Sequence, residues 1–184
     1  MNLLIENTPD YIIVGGKKIK IKTDFALWVK FIISCQKNDK EKLYNSICEI
    51  FDNNIPDNVD ECFEQCQKWL FPDEKKQTST TEKTNNNHQK PFDFDMDGSV
   101  IYCELWEYFP NLMQRGISFH EGMELIQILM MNDKTVLWHR AFARCGELSK
   151  LDKEQRKYWQ KQRALYSIKS KNSDIDSVMC GDFW

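Results

Sequence analysis

The chain has 184 residues, 41% of them hydrophobic, and a formal net charge of −3. This length suits one domain or two small ones. The acidic net charge argues against a general nucleic-acid-binding protein, and no stretch approaches the ~20 apolar residues that a membrane-spanning helix requires. We therefore expect neither nucleic acid nor a membrane as a partner.

The first part of the sequence predicts a β-hairpin followed by helices. Tyr11–Val14 and Ile19–Ile21 are rich in β-branched residues, and Gly15-Gly16 between them permits the positive φ angles of a tight turn. Three predicted helices follow: one capped by Thr23, one over Lys40–Phe51, and one that begins near Asp57 and is stopped by Pro72.

A polar segment divides the chain. Residues 72–91 have few hydrophobic side chains and cannot bury enough surface to offset the entropy of ordering, so we predict a flexible linker. It separates an N-terminal unit (residues 1–71) from a C-terminal helical unit (92–171), and residues 172–184 are predicted to form a mobile tail. The predicted fold is mainly α, with a small N-terminal β-hairpin followed by about six to seven helices in two helical units.

Capping signals mark the helices of the second unit. One helix is predicted over Ser99–Phe109, where Pro110 ends it. Gly146 fits the C-terminus of a later helix. The predicted N-terminal caps are Ser118 with Glu121 as a capping box, Asn132 or Asp133, and Asp152 with Gln155.

Charge is distributed unevenly along the chain. Residues 134–171 carry a net charge of +8, and residues 40–104 carry a net charge of −7. This asymmetry suits self-association or a charged partner, although solvated helix faces also account for it. The last predicted helix adds an apolar stripe beside its basic face, formed by Tyr158, Trp159, Leu165 and Tyr166.

The seven cysteines do not form a recognisable metal or disulfide pattern. Cys62 and Cys66 share a helix face, but no paired histidine completes a zinc site, so we expect most cysteines to be buried as small hydrophobic side chains. Met1–Glu6 lacks the basic region and apolar run of a signal peptide. We therefore expect a cytosolic protein with reduced thiols.

An acidic cluster fits the spacing of a calcium-binding loop. Asp93, Asp95 and Asp97 alternate before Gly98, and Glu104 occupies the twelfth position, where such loops have a bidentate ligand. The other interpretation is an acidic helix N-terminus, in which Asp95, Asp97 or Ser99 is the cap and Glu104 is an exposed helical carboxylate.

We find no sequence signature of an enzyme. His88, His120 and His139 are separated and have no spaced carboxylate or cysteine partner. The phosphate-binding, dinucleotide-binding, serine-hydrolase and zinc-protease motifs are all absent from the sequence. We expect a non-enzymatic protein without a cofactor.

Several motifs occur in an order that resembles a known family. In chain order they are Asn2-Leu3-Leu4, the glycine-containing hairpin, Thr23-Asp24-Phe25 with Trp28, Asp93-Phe94-Asp95, Ile101-Tyr102, and Lys153-Glu154-Gln155-Arg156-Lys157-Tyr158. Over most of Met1–Lys171 the chain resembles the gp-fifteen family of tail assembly chaperones from long-tailed phages of Gram-positive bacteria. It departs from the family pattern at His120–Met123, where paired aromatic residues are common.

The resemblance implies a chaperone of the host cytoplasm with no active site. Such a protein would bind the tape-measure protein, keep it soluble, help to recruit the major tail protein, and be absent from the finished virion. We expect client contact at Tyr158 and Trp159 or at Phe183 and Trp184, since exposed aromatic side chains suit transient binding. The alternatives are a calcium-responsive binding module that uses Asp93–Glu104 and a structural tail component retained in the virion.

Overall fold

The computed structural model of the protein describes residues 8–70 and 90–168, which are mainly helical with one small N-terminal β-hairpin. The predicted fold class is confirmed. The elements of the described residues are β1 (Tyr11–Val14), β2 (Lys17–Lys20), α1 (Phe25–Gln36), α2 (Lys40–Ile50), α3 (Val59–Leu70), α4 (Phe94–Tyr108), α5 (Pro110–Arg115), α6 (Phe119–Met131), α7 (Val136–Cys145), a 3-10 turn (Leu148–Lys150) and α8 (Lys153–Tyr166).

The described residues form two units. The first comprises residues 8–70 and Gly116–Gly122, and the second comprises residues 90–115 and 123–168. Lys90 and Pro91, the last two residues of the predicted linker, are buried. The rest of that linker and the predicted tail lie outside the described residues. None of the described helices combines the length and the apolar character that a transmembrane helix requires.

The hairpin has the geometry that its glycines predict. β1 and β2 are antiparallel, and Tyr11 is opposite Lys20. Gly15 and Gly16 both have positive φ, +56° and +73°, as the favoured two-residue hairpin turn requires. α3 holds the hairpin, because the Gly15 amide donates to Oε1 of Glu61 at 2.8 Å.

Aromatic rings form the core of the first unit. Trp28 is fully buried and stacks on Trp69, with ring centroids 4.1 Å apart. Phe119 packs against both rings from the start of α6. Two backbone hydrogen bonds fix this segment, from Phe25 N to Ile117 O and from Phe119 N to Thr23 O. The first turn of α6 therefore belongs to the core of the first unit.

The local capping predictions are partly confirmed in the first unit. Ser118 and Glu121 form the predicted capping box, in which each side chain accepts a hydrogen bond from the other residue's amide. Thr23 is not the cap of α1; Asp24 occupies that position without a side-chain capping bond. α3 begins at Val59, and Asn58 Oδ1 accepts from the Glu61 amide.

In the second unit, the starts of two helices, α4 and α7, differ from the predictions. α4 begins at Phe94, earlier than the predicted Ser99, because Asp93 caps it. Thr135, and neither Asn132 nor Asp133, caps α7: its hydroxyl accepts from the Trp138 amide at 3.1 Å. The expected caps at Gly146 and Asp152 are confirmed, and Pro110 begins the additional short helix α5 as well as following α4.

Replacement by alanine is expected to change the free energy of unfolding in opposite directions at two helical glycines. A Cβ at Gly122 would overlap the Phe25 ring, whereas a Cβ at Gly98 meets no atom within 4 Å. Gly122→Ala should lower the free energy of unfolding by about 1–3 kcal/mol through overpacking. Gly98→Ala should raise it by about 0.5–1 kcal/mol, because alanine loses less backbone entropy in a helix.

Urea unfolding of the two alanine variants beside the unaltered chain measures this contrast. Each substitution adds one methyl group within a helix, so each variant is the matched control for the other. Equal changes in the unfolding free energy would contradict the contact between Gly122 and Phe25.

Candidate protein-binding surface

A buried ion cluster organises the second unit. Asp97 is fully buried on α4, and both of its carboxylate oxygens accept from the guanidinium of Arg144, at 2.6 and 3.1 Å. Arg140, one turn earlier on α7, donates to the same carboxylate at 2.7 Å. The Asp93 amide adds a further bond at 2.9 Å. The cluster joins α4 to α7.

The electrostatics of Asp97 follow from these bonds. Burial is the largest single influence and by itself raises the pKa of this carboxyl. The hydrogen bonds from Arg144, Arg140 and the Asp93 amide, together with the positive charge of Arg144, outweigh burial and hold the pKa of Asp97 below its ordinary value of 3.8. The carboxylate is therefore ionised at neutral pH, and its charge is satisfied by the two guanidinium groups.

Arginines also join α7 to α8. Arg144 donates through Nε to the carbonyl of Tyr166 at the end of α8. In return, Arg163 on α8 donates to the carbonyls of Ala143 and Gly146 at the end of α7, at 2.7 and 2.6 Å. Each helix thus has its terminal carbonyls satisfied by an arginine of the other, where a cation is electrostatically favoured. α8 is consequently fixed on α7.

Glu104 connects α4 to α7 by a different interaction. Its carboxylate accepts hydrogen bonds from the backbone amides of Val136 and Leu137 in the first turn of α7. These amides have no partner within their own helix. The sequence-based interpretation of Glu104 as an exposed carboxylate was wrong, because the side chain is buried.

The acidic cluster does not form a calcium-binding loop. Residues 94–104 are helical, and three of the four carboxylates that the motif would use are otherwise engaged. Asp93 accepts from the amides of Asp95 and Met96, Asp97 binds the two arginines, and Glu104 serves α7. Within residues 8–70 and 90–168, no group of three or more His, Cys, Asp or Glu side chains could hold a metal ion.

We expect Glu104→Gln to lower the free energy of unfolding by about 1–3 kcal/mol. The substitution removes the charge that two α7 amides contact and leaves one of them poorly satisfied. Glu107→Gln is the matched control, because Glu107 lies one turn further on α4 and is exposed. Urea titration of both variants tests this; a loss as large for Glu107→Gln as for Glu104→Gln would contradict the assigned role.

Trp159, one of the residues predicted to bind a partner, packs within the second unit. Its ring lies 4.7 Å from that of Phe142 and 6.1 Å from that of Trp138, and it stacks on His139. Tyr166 is half-buried, and the Arg140 guanidinium lies over its ring. These contacts place Trp159 and Tyr166 on the inner side of α8.

Tyr158 and Leu165 lie on the outer side of α8. Their exposed fractions are 53% and 67%, and a spacing of seven residues puts them on one helix face. Lys153, Lys157 and Lys161 run beside them at four-residue intervals and are also exposed. We call these five residues the α8 surface.

A second exposed aromatic pair lies on α4. Tyr102 is 60% exposed, and its ring contacts that of Trp106, one helical turn away. The buried stripe of the same helix contains Ile101 and Leu105. The sequence reasoning did not assign Tyr102 or Trp106 to a surface. The signal was available, because α4 has more apolar positions than one buried stripe requires.

Of the four residues predicted to contact a partner, the structure thus places Tyr158 on the exposed side of α8 and Trp159 in its packed side. Phe183 and Trp184 lie outside the described residues. Of the six cysteines among the described residues, Cys62 and Cys66 are buried and Cys103 is exposed, and the other three are half-buried, so the expectation that most are buried was wrong. Burial raises the pKa of the Cys35 thiol to about 12, which keeps it protonated at neutral pH.

His120 is a packed histidine of the first unit. Its ring meets Trp69 edge-on at 4.4 Å. Neither ring nitrogen has a hydrogen bond of normal geometry to the described residues. Burial, opposed by a weaker contact with the Trp69 backbone, holds the pKa of His120 below its usual range. This environment favours the neutral imidazole.

Comparisons of the chain with protein-family models, curated proteins and solved structures found no match.

Proposed function

We propose that this chain is a phage tail assembly chaperone, a non-enzymatic protein that binds the tape-measure protein and helps to recruit the major tail protein. Two observations support the proposal. The sequence motifs occur in the order seen in the gp-fifteen family, and the second unit exposes apolar side chains on helices that are otherwise firmly held. The observation that carries most weight is the exposure of Tyr158 and Leu165 on α8.

α8 can bind a partner on its outer side while its inner side stays packed. The arginine bonds and the Trp159 contacts fix one side of the helix. Tyr158 meets the Trp159 ring edge-on, but Tyr158 and Leu165 both remain more than half exposed, so a partner can cover them without unfolding the unit. A small apolar contact of this kind is weak by itself, but many copies along a long client gain strength through multivalency.

Co-expression with the tape-measure protein of the same phage tests the proposal. The soluble yield of the tape-measure protein should rise when this chain is present. The matched comparison is Tyr158→Ala/Leu165→Ala, which removes two exposed side chains and should leave the fold intact. A tape-measure protein that stays insoluble with the unaltered chain would contradict the function.

The proposal also places the protein in the host cytoplasm and outside the finished particle. Mass spectrometry of purified virions measures this directly. The tape-measure and major tail proteins should be detected and this chain should be absent. Its recovery at a fixed ratio to the tail subunits would instead identify a structural tail component.

A further inference from the structure

The α8 surface combines a row of positive charge with an apolar pair. Lys153, Lys157 and Lys161 are separated by one helical turn each, so their ammonium groups line one face over about 12 Å. Tyr158 and Leu165 border this row. Glu154 is the single carboxylate within α8. The face therefore has a strongly positive character.

These lysines differ from the arginines of the same helix in what they contact. Arg156 donates to the carbonyls of Leu148, Ser149 and Leu151, and Arg163 to carbonyls at the end of α7. By contrast, none of the three lysines makes an ion pair with another described residue. The arginines hold the helix in place, and the lysines remain available to a partner.

We infer that the α8 surface binds an acidic amphipathic helix of the client. A helix with carboxylates at every fourth position matches the lysine spacing, and apolar side chains beside the carboxylates would cover Tyr158 and Leu165. Charge complementarity would select and orient the segment, and the apolar pair would retain it. This inference rests on the proposed function, because it names the chemistry of the client segment.

Binding of a synthetic helix to the full chain tests the inference. The probe is a fluorescent peptide of about 18 residues, or five helical turns, with Glu at every fourth position beside a leucine stripe. Fluorescence anisotropy should show saturable binding that weakens when salt is raised from about 0.05 M to about 0.5 M. A peptide with Gln in place of each Glu should bind about tenfold more weakly.

Charge reversal provides the decisive variants. Lys157→Glu/Lys161→Glu should weaken binding of the acidic probe by about tenfold or more, and a probe with Lys in place of Glu should recover binding to this variant. The control is Lys40→Glu/Lys134→Glu, which changes the net charge by the same amount at exposed positions outside the α8 surface. This variant should bind the acidic probe nearly as well as the unaltered chain does. Thermal unfolding verifies that each variant folds.

Three outcomes would overturn the inference: no binding of the acidic probe, an equal loss in both charge-reversed variants, or self-association at low salt that Lys157→Glu/Lys161→Glu abolishes. The last would show that a second copy occupies the surface, and the exposed carboxylates Asp57, Asp60 and Glu64 would be the first place to seek its contact.

Co-expression separates this inference from the proposed function. If Lys157→Glu/Lys161→Glu still keeps the tape-measure protein soluble, the inference fails while the function stands. If the unaltered chain binds the acidic probe but never co-elutes with the tape-measure protein, the function fails and the acidic segment belongs to another client.

Discussion

Replacing Asp97 by Asn is expected to lower the free energy of unfolding of the second unit by about 3–5 kcal/mol. Asn keeps the shape of the side chain but removes the charge that Arg140 and Arg144 bind. Arg144 is itself buried, so the substitution leaves an uncompensated cation inside the unit. Removing one partner of a buried ion pair lowers stability more than removing one partner of an exposed pair, because the charge that remains buried cannot be hydrated.

The pH dependence of the same variant gives an independent readout. Because the folded-state pKa of Asp97 lies below its ordinary value of 3.8, the ionised carboxylate stabilises the fold above that pH. This stabilisation is lost as the pH falls through the folded-state pKa. Urea unfolding between neutral pH and about pH 3 should show a shallower acid loss for Asp97→Asn than for the unaltered chain.

Glu107→Gln, at an exposed position on the same helix, is the control for both measurements. It should change the unfolding free energy by less than about 0.5 kcal/mol and keep the acid loss of the unaltered chain. An Asp97→Asn variant that is as stable as this control would show that the ion cluster does not hold α4 on α7.

Replacing Trp159 by Ala should lower the free energy of unfolding by about 2–4 kcal/mol, whereas Tyr158→Ala should lower it by at most about 1 kcal/mol. The Trp159 ring packs against Phe142 and Trp138, so its removal leaves a cavity under α8. The Tyr158 ring is half exposed, and its removal ends an edge-on contact with the Trp159 ring but leaves no buried cavity. Urea unfolding followed by circular dichroism measures both values.

The two substitutions separate fold from binding at neighbouring positions. Tyr158→Ala should weaken capture of the tape-measure protein although the unit remains folded. Trp159→Ala would impair capture through loss of structure, so it cannot by itself locate a contact. If the Tyr158→Ala and Leu165→Ala variants each capture the client as well as the unaltered chain does, the exposed side of α8 is not the binding surface.

Features that depend on neighbouring residues were predictable from the sequence. The paired glycines specified the hairpin turn, and Ser118 with Glu121 specified the start of α6. In both cases the residues that decide the structure lie within a few positions of each other. The cap of α8 was predictable for the same reason, because Asp152 accepts hydrogen bonds from the nearby amides of Glu154 and Gln155.

Features that depend on distant partners were not predictable in this way. Asp97 and Arg144 are separated by 47 positions, and Glu104 and Val136 by 32. Without those partners, the alternating carboxylates resembled a calcium loop, since the motif is defined by spacing alone. The roles of Asp97 and Glu104 became visible only when α7 was placed beside α4.

The apolar stripe of α8 shows a similar limit. Tyr158 and Trp159 are consecutive, so they point about 100° apart on the helix. The sequence grouped them in one stripe, but only packing against α7 decides that Trp159 is inside and Tyr158 is outside. Periodicity identified the helix, and long-range contacts determined which of its aromatic side chains a partner can reach.

The central claim is that this chain holds the tape-measure protein in a soluble complex. The most direct test is light scattering on the species eluting from a sizing column after the two proteins are co-expressed. We expect one peak that contains both proteins, with a mass equal to one tape-measure chain plus several copies of this chain. Separate elution of the two proteins, or recovery of this chain alone, would contradict it.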